Sequence, residues 1–284
     1  MAAEIISGRD LAQELRQQMK QKVTELNNQG VFPKLSVILV GDNPASKSYV
    51  NGKKKACKET GILSDVIEMN HDTTEANLLQ QIEKLNEDPT VHGILVQLPL
   101  PEQIREQKVI DTISYTKDVD GFHPINIGRM MTGEDAFLPC TPYGIITMLK
   151  SKDISIAGKH AVVVGRSNIV GKPVGQLLLN ENATVTYCHS KTKNLAQITK
   201  QADILIAAVG KVNAIRAEHI KDGAVVVDVG INRLEDGSLT GDVDFNEAKE
   251  KASFITPVPR GVGPMTITML LENTIKAAKG LENS

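Results

Sequence analysis

Two residues one helical turn apart are the first candidates for chemistry in this chain. Tyr49 and Lys53 are spaced i, i+4 within a segment that predicts a helix over 45–59, so their side chains share one helix face. A phenol beside an amine can pass protons and polarise a substrate nitrogen or oxygen. Neighbouring lysines favour the neutral form of that amine. The same spacing is common on solvent-facing helices, so spacing alone leaves both interpretations open.

Polar residues after the later apolar segments extend this set. Gln97 ends a predicted strand over 93–97, where its amide can hydrogen-bond a lysine or a substrate amide. Asp118 and Asp120 lie in a predicted loop before Gly121. A carboxylate there can accept two N–H bonds from the edge of a heterocycle. The alternative for both aspartates is an Asx-turn or a helix cap, the usual place of loop aspartates.

A glycine turn in the second half indicates a dinucleotide. The apolar segment Ala161–Val164 predicts a buried parallel strand that leads directly into Gly165, and Gly171 opens a predicted helix over 171–180. Strand, glycine turn and helix start form the entry of a dinucleotide-binding βαβ unit, where helix N–H groups face a pyrophosphate. The spacing departs from the usual G-x-G-x-x-G.

The end of the next predicted strand, over 183–188, favours NADP over NAD. NAD-binding units carry an acidic residue near this position to hold the ribose hydroxyls, and none is present here. Ser190 and Lys191, with Arg166 at the first turn, can instead hold a 2′-phosphate. The alternative is that the two cations are ordinary solvated surface charges. His189 is expected to be a turn residue.

Two further apolar segments, 204–210 and 224–231, each run into a glycine-containing loop. In a parallel sheet both strands end at the edge where cofactors bind. We therefore expect Gly210 and Ile231 at this edge, with Ile231 packed on the nicotinamide and Asp228 as a polar strand terminator. The expected cofactor-binding residues are Gly165, Arg166, Ser167, Ser190, Lys191, Gly210 and Ile231.

The elements that must position these residues alternate between strands and helices in both halves of the chain, which predicts α/β architecture with covered parallel sheets. A helix from Thr141 to about Lys150 is expected to bridge the halves. The predicted fold is two α/β domains, the second of Rossmann type. The first domain is predicted to comprise 1–140 plus 265–284, and the second 141–264.

Composition narrows the class of protein. The 284 residues carry 32 Lys and Arg against 34 Asp and Glu, a net charge of −2 that points to no nucleic-acid partner. No apolar segment reaches membrane-spanning length, and no signal peptide is expected at the N-terminus. The three cysteines show neither metal-ligand nor disulfide spacing, so no metal is expected. Free thiols suit a reducing cytoplasm.

Six segments in a fixed order resemble the bifunctional methylenetetrahydrofolate dehydrogenase/methenyltetrahydrofolate cyclohydrolase family. They span nearly the whole chain, which makes them far more specific than any single glycine motif. They are Ser48-Tyr-Val-Asn-Gly-Lys53, Gly93-Ile-Leu-Val-Gln-Leu-Pro-Leu-Pro101, Lys117-Asp-Val-Asp-Gly-Phe-His-Pro124, Pro139-Cys-Thr-Pro142, Gly165-Arg-Ser-Asn-Ile-Val-Gly-Lys-Pro173 and Thr256-Pro-Val-Pro-Arg-Gly-Val-Gly-Pro-Met-Thr266.

The resemblance implies NADP-dependent oxidation of 5,10-methylenetetrahydrofolate, hydrolysis of the methenyl product to 10-formyltetrahydrofolate, and a place in one-carbon metabolism and purine biosynthesis. It implies a cleft between the two domains and a homodimer. It also implies residue roles. Lys53 transfers protons, Tyr49 stacks on the substrate, Gln97 tunes Lys53, Asp120 binds the pterin with Asp118 as a supporting neighbour, and Pro264 lines the folate side.

The last segment departs from the family pattern, because Arg260 replaces a glycine. If this position needs a positive φ, the arginine is strained there. Either the local turn tolerates a side chain, or Arg260 extends toward solvent, the cofactor or the glutamate tail, and solvent is favoured because arginine is usually exposed. Two other functions stay open at this point. One is a dehydrogenase without hydrolase activity, and the other is a non-catalytic NADP-sensing binding protein.

Overall fold

The computed structural model describes residues 3–280. Its strands, in chain order, are β1 (Glu4–Ile5), β2 (Lys34–Val40), β3 (Leu63–Met69), β4 (Gly93–Val96), β5 (His160–Val164), β6 (Thr184–Cys188), β7 (Ile204–Ala207), β8 (Val225–Asp228), β9 (Asn232–Arg233), β10 (Leu239–Thr240) and β11 (Phe254–Ile255). Its helices are α1 (Gly8–Asn28), α2 (Pro44–Thr60), α3 (Glu75–Glu87), α4 (Glu106–Thr112), α5 (Pro124–Thr132), α6 (Cys140–Lys150), α7 (Gly171–Asn180), α8 (Leu195–Thr199), α9 (Phe245–Ala248) and α10 (Val262–Lys279), with a short 3₁₀ helix at Ala217–His219.

The chain forms two compact units. Unit 1 contains the chain up to Gln13 and Thr141–Thr266, and unit 2 contains Glu14–Cys140 and the chain from Ile267 onward. The predicted boundaries had assigned the N-terminal residues to the first domain. They group with unit 1 because β1 pairs in parallel with β11, placing Glu4 opposite Phe254 and Ile5 opposite Ile255. A two-residue strand is too short for its periodicity to indicate its partner.

Unit 1 is built on a six-stranded sheet in the order β1-β11-β8-β7-β5-β6, with every neighbouring pair parallel. All four residues of β7 and of β8 are buried, as expected for a sheet covered on both faces. From β5 the chain moves outward to β6 and then returns past β5 to β7. The order therefore reverses between β5 and β7, the position at which doubly wound sheets bind ligands. The expected Rossmann-type α/β fold is confirmed.

Unit 2 is built on a three-stranded parallel sheet in the order β3-β2-β4. The central strand β2 is buried over Leu35–Val40. Its apolar side chains join a core with residues of α3 and α4, including Leu78, Ile82 and Val109. An isolated parallel bridge between Ile94 and Asp118 continues the sheet beyond β4. The loop that carries the two candidate aspartates is thus fixed to the strand that ends near Gln97.

The structure differs from the predicted elements in several places. The sequence predicts helices over about 102–113 and 244–251, whereas the structure has helices only at Glu106–Thr112 and Phe245–Ala248. The sequence predicts a loop over 232–238, but the structure has β9 at its start, and β9 pairs antiparallel with β10 directly after it. Both strands are too short to show alternation. Helix α5 was not predicted. No helix within residues 3–280 has the length and apolar character needed to cross a membrane.

Candidate active site

Helix α2 presents Lys53 and Tyr49 in different environments. The helix starts at Pro44 after Asn43, whose side chain accepts hydrogen bonds from the N–H groups of Ala45 and Ser46. Lys53 is only 9% exposed, whereas Tyr49, one turn earlier, is 43% exposed. A buried amine beside an accessible phenol ring gives this end of α2 both a proton carrier and a stacking surface.

Lys53 is held by the predicted partner Gln97. The Lys53 Nζ donates to Gln97 Oε1 at 2.9 Å. The other end of the amide is also fixed, because Gln97 Nε2 donates to the carbonyl of Leu98 at 2.6 Å. The backbone N–H of Gln97 bonds to the Ile38 carbonyl at 2.9 Å, which ties this residue to the central strand β2. The amide oxygen of Gln97 is therefore the atom that faces the amine.

Burial and one carboxylate set the charge of this lysine. Burial lowers the pKa of Lys53, and the negative charge of Asp120 opposes part of that shift. In turn, burial raises the pKa of Asp120, which Lys53 and the thiol of Cys140 oppose. The pKa of Cys140 is raised well above its ordinary value by burial, which keeps it a neutral thiol. The arrangement favours a lysine that exchanges its proton more readily than a solvated one.

Asp118 is occupied by its own loop. Its side chain is buried and accepts hydrogen bonds from the N–H of Phe122 at 3.2 Å, the N–H of His123 at 2.8 Å and Asn126 Nδ2 at 2.9 Å. Burial raises the pKa of Asp118 to about 7, although these hydrogen bonds oppose the shift. Both carboxylate oxygens of Asp118 thus accept hydrogen bonds from the residues that follow it. This is the Asx-type turn given above as the alternative to a substrate contact. Asp120, the next acid along the chain, is only partly buried, and both aspartates line a pocket with Val96 and Leu98.

Asn273 is a residue of this site that the sequence did not indicate. It lies on α10, is 2% exposed, and donates from Nδ2 to the carbonyls of Val119 at 2.8 Å and Leu138 at 2.9 Å. Val119 stands between the two aspartates, so this amide fixes the backbone next to Asp120. The one sequence signal that could have found it is an asparagine within the mostly apolar middle of the final helix.

The glycine turn of unit 1 is as tight as its spacing suggested. Gly165 has φ 143°, and a Cβ at this position would lie 2.2 Å from the carbonyl oxygen of Ala208. A Cβ on Gly171 would lie 2.6 Å from the carbonyl oxygen of Gly165. Side chains are therefore excluded where the turn after β5 meets the loop after β7. The hydroxyl oxygen of Ser167 accepts from the N–H groups of Val170 and Gly171, each at 3.2 Å, and so shapes the same turn.

The candidate 2′-phosphate residues share one edge of the sheet. Strands β5 and β6 pair with Val164 opposite Cys188, and the N–H of Gly165 bonds to the Cys188 carbonyl at 2.9 Å. Arg166 and Lys191 follow these two strand ends, and both are exposed, as is Ser190. His189 Nδ1 accepts from the N–H of Lys191 at 3.2 Å, which confirms the expected turn. The cationic side chains of Arg166 and Lys191 and the Ser190 hydroxyl lie beside a turn without an acidic residue. Such a set of groups suits the binding of a phosphate dianion.

The loops after β7 and β8 carry the other expected cofactor residues. Gly210 has φ 67° and is exposed, and Ile231 is 47% exposed. A Cβ on Gly263 would lie 3.7 Å from Ile231 Cδ1, so Ile231 neighbours the glycine that precedes Pro264. Pro264 itself is partly buried in the first turn of α10.

Asp228 does more than end its strand. It accepts hydrogen bonds from the N–H groups of Gly230 at 3.0 Å, Asp242 at 2.9 Å and Val243 at 2.9 Å. Burial raises its pKa to about 6, with these N–H groups opposing the shift. Asp242, which was not predicted, is fully buried next to it and holds the loop that contains Gly210. Its only sequence signal is an acid directly after a glycine, Gly241.

Arg260 occupies the strained conformation considered for it. Its φ is 82°, in the left-handed region that favours glycine. Its carbonyl accepts from the N–H of Arg9 at 3.0 Å, and the residue is exposed. The exposure favours solvent as the direction of its side chain. Within residues 3–280, no group of three His, Cys, Asp or Glu residues is placed to hold a metal ion.

Comparison with known proteins matches both units to one family. Residues 6–120 match the catalytic domain of tetrahydrofolate dehydrogenase/cyclohydrolase, and residues 139–282 match its NAD(P)-binding domain. The bifunctional protein FolD of Oceanobacillus iheyensis is 68% identical over 281 residues, covering 99% of each chain.

Solved structures agree with these matches. The bifunctional FolD methylenetetrahydrofolate dehydrogenase/cyclohydrolase of Campylobacter jejuni superposes with a TM-score of 0.96 at 53% identity, covering 98% of this chain and 99% of that one. The methylenetetrahydrofolate dehydrogenase-cyclohydrolase of Trypanosoma brucei, complexed with NADP cofactor and inhibitor, gives a TM-score of 0.94 at 37% identity over 98% of both chains. The chain therefore belongs to the tetrahydrofolate dehydrogenase/cyclohydrolase family.

Proposed function

We propose that the protein oxidises 5,10-methylenetetrahydrofolate with NADP and hydrolyses the methenyl product to 10-formyltetrahydrofolate. One observation carries the hydrolysis step best. The buried Lys53 is hydrogen-bonded to Gln97 and lies in the field of Asp120, in the unit that matches the family's catalytic domain. The glycine turn and the NAD(P)-binding match of unit 1 add the redox half.

NADP is the dinucleotide that the residues of unit 1 fit. The backbone around Gly165 and Gly171 excludes side chains there, and we expect the resulting tight turn to direct its N–H groups at the pyrophosphate. Arg166, Ser190 and Lys191 would hold the 2′-phosphate, and Ser167 would shape the turn below the pyrophosphate. The trypanosomal relative in complex with NADP supports this choice.

The oxidation step places few acid–base demands on the protein. When bound, NADP would supply the hydride acceptor for the methylene carbon, and the resulting cation would be stabilised by its two flanking nitrogens. Orientation is then the main contribution of the chain. We assign the pterin contact to the carboxylate of Asp120, stacking to the exposed ring of Tyr49, and packing against the nicotinamide to Ile231, with Gly210 contributing backbone.

Hydrolysis of the methenyl group requires proton transfer. Water adds to the cationic carbon and must lose a proton, and a ring nitrogen must then gain one so that its bond to carbon breaks. The neutral amine of Lys53 accepts the first proton, and the ammonium then supplies the second. The lowered pKa of Lys53 makes the neutral form accessible, and Gln97 keeps the amine in place in either charge state.

The assignment of roles to the two units follows from these residues. We propose that unit 2 binds the folate and that unit 1 binds NADP, with Asp118 supporting Asp120. By resemblance to the family, the enzyme is a cytoplasmic homodimer that acts on tetrahydrofolate derivatives and binds neither nucleic acid nor membrane.

A spectrophotometric assay of both steps, with NADP and NAD side by side, tests the proposal. We expect NADP-dependent formation of the methenyl compound, followed by its disappearance faster than the uncatalysed rate. Accumulation of the methenyl compound at the uncatalysed hydrolysis rate would show a dehydrogenase without hydrolase activity. No turnover with either dinucleotide would instead indicate a cofactor-sensing binding protein and refute the proposal.

A further inference from the structure

Asp242 is a fully buried carboxylate with four hydrogen-bond donors around it. Its Oδ2 accepts from the N–H groups of Val209 at 2.6 Å and Gly210 at 2.9 Å. Its Oδ1 accepts from the N–H of Lys211 at 2.9 Å and from Asn232 Nδ2 at 3.0 Å. Both oxygens are therefore fully engaged, and the carboxylate has a structural task within the described part of unit 1.

The three backbone donors are consecutive residues of the loop that follows β7. Consecutive N–H groups that converge on one anion form a nest, which fixes the backbone dihedral angles of the segment. Gly210, at the centre of this nest, adopts φ 67°. Asn232 begins β9 directly after Ile231. One carboxylate thus fixes the loops after two neighbouring strands, β7 and β8, which pair in parallel.

The fit around Asp242 requires glycine in the facing chain. A Cβ on Gly230 would lie 2.2 Å from Asp242 Oδ1, and a Cβ on Gly241 would lie 1.8 Å from Asp228 Oδ2. The two aspartates are joined, since the N–H of Asp242 donates to Asp228 Oδ1. Asp242 therefore packs against Gly230, two residues after Asp228, and Asp228 packs against Gly241, directly before Asp242. Larger residues at the two glycines would force the loops apart.

We propose that Asp242 is a positioning residue for the dinucleotide, which it serves by holding Gly210 and Ile231 at the cofactor edge of the sheet. The inference rests on the proposed binding of NADP by unit 1. Asp242 makes no contact with the cofactor in this account. The N–H dipoles around the carboxylate stabilise its negative charge, so Asp242 orders the loop. In this account Asp242 forms no ion pair with Arg166 or Lys191, the cations assigned to the phosphate.

Asp242→Asn tests the inference with little change in shape. An amide nitrogen in place of one oxygen would face N–H donors that it cannot accept from. We expect the dissociation constant for NADP, measured by titration calorimetry, to rise about tenfold or more. We also expect faster hydrogen exchange at residues 209–211 of the protein without cofactor. Cyclohydrolase activity, measured on added methenyl substrate without dinucleotide, should stay within about twofold of the wild-type value.

Asp244→Asn is the matched control. Asp244 is two residues away and caps α9 by accepting from the N–H of Glu247, a function that asparagine retains. This variant should bind NADP as the wild type does. Unchanged NADP affinity in a folded Asp242→Asn variant, even with a lower melting temperature, would reduce Asp242 to a purely structural residue and overturn the inference.

Asn232→Ala tests whether Asp242 positions the cofactor loop if the Asp242→Asn variant does not fold. It removes one donor to Asp242 and leaves the carboxylate and its three backbone bonds intact. We expect NADP affinity to fall about threefold, and an unchanged affinity would contradict the inference. Failure of the wild type to bind NADP would refute the proposed function instead. The exchange rates at 209–211 without cofactor would then still show whether Asp242 holds this loop.

Discussion

The amine of Lys53 and the amide oxygen of Gln97 lie 2.9 Å apart, joining the middle of α2 to the end of β4. The amide cannot turn away without losing its second bond to the Leu98 carbonyl. A buried lysine with a fixed neutral acceptor keeps its position whether it is charged or neutral. This pairing makes Lys53 suitable for moving a proton twice in one reaction.

Replacement of Lys53 by methionine should abolish the hydrolase step selectively. Positioned acid–base groups typically contribute about 10²- to 10⁴-fold to rate, so we expect a loss of that order in cyclohydrolase kcat. Affinity for NADP should be unchanged. Methionine matches lysine in length but leaves Gln97 Oε1 without its donor, so we expect a folded protein that loses about 1–3 kcal/mol in the free energy of unfolding. The exposed neighbour Lys54 provides the control Lys54→Met, which should keep full activity.

Gln97 variants should move the pH profile of hydrolysis in opposite directions. The neutral amine accepts the proton from water, so kcat/KM rises with pH through the pKa of Lys53, which burial places below that of a solvated lysine. In Gln97→Glu a carboxylate beside the ammonium raises that pKa, and the rising limb moves to higher pH. In Gln97→Met the charged form loses an acceptor, and the limb moves to lower pH. Shifts of the same sign in both variants would contradict the proton-transfer role.

Arg166→Ala should separate the two dinucleotides. A charge-assisted contact to the 2′-phosphate is worth about 1.5 kcal/mol at an exposed site, or roughly tenfold in the Michaelis constant for NADP. The constant for NAD, which lacks that phosphate, should change less than about twofold. The exposed Arg216 allows Arg216→Ala as a control for general loss of positive charge. Equal effects of Arg166→Ala on NADP and NAD would show that this residue does not read the phosphate.

Arg260→Gly should stabilise the protein. A non-glycine residue in the left-handed region costs about 1–2 kcal/mol, and glycine loses about 0.5–1 kcal/mol more backbone entropy on folding. The net expectation is a gain of about 0.5–1 kcal/mol in the free energy of unfolding, measured in urea. Arg260→Ala keeps the strain at φ 82° and should give no such gain. If the alanine variant is stabilised as much as the glycine variant, the arginine side chain is responsible and not the backbone.

Local sequence patterns predicted the elements that carry the site. The apolar segment before Gly165, the i, i+4 spacing of Tyr49 and Lys53, and the proline-terminated strand at Gln97 each depend on neighbours within a few residues. The long helices and the buried central strands followed from the same periodicities. The short strands β1, β9 and β11 were missed because two residues show no period, and their pairing depends on partners far along the chain.

The sequence by itself determined the family, the α/β order of elements, the acid-free strand end that favours NADP, and which residue types carry the chemistry. Only the tertiary structure decided that Lys53 is buried against Gln97, that Asp118 braces its own loop, and that Asp242 gathers the loop containing Gly210. The reason is physical. Periodicity and turn composition are local properties, whereas burial and hydrogen-bond partners depend on which distant segments pack together.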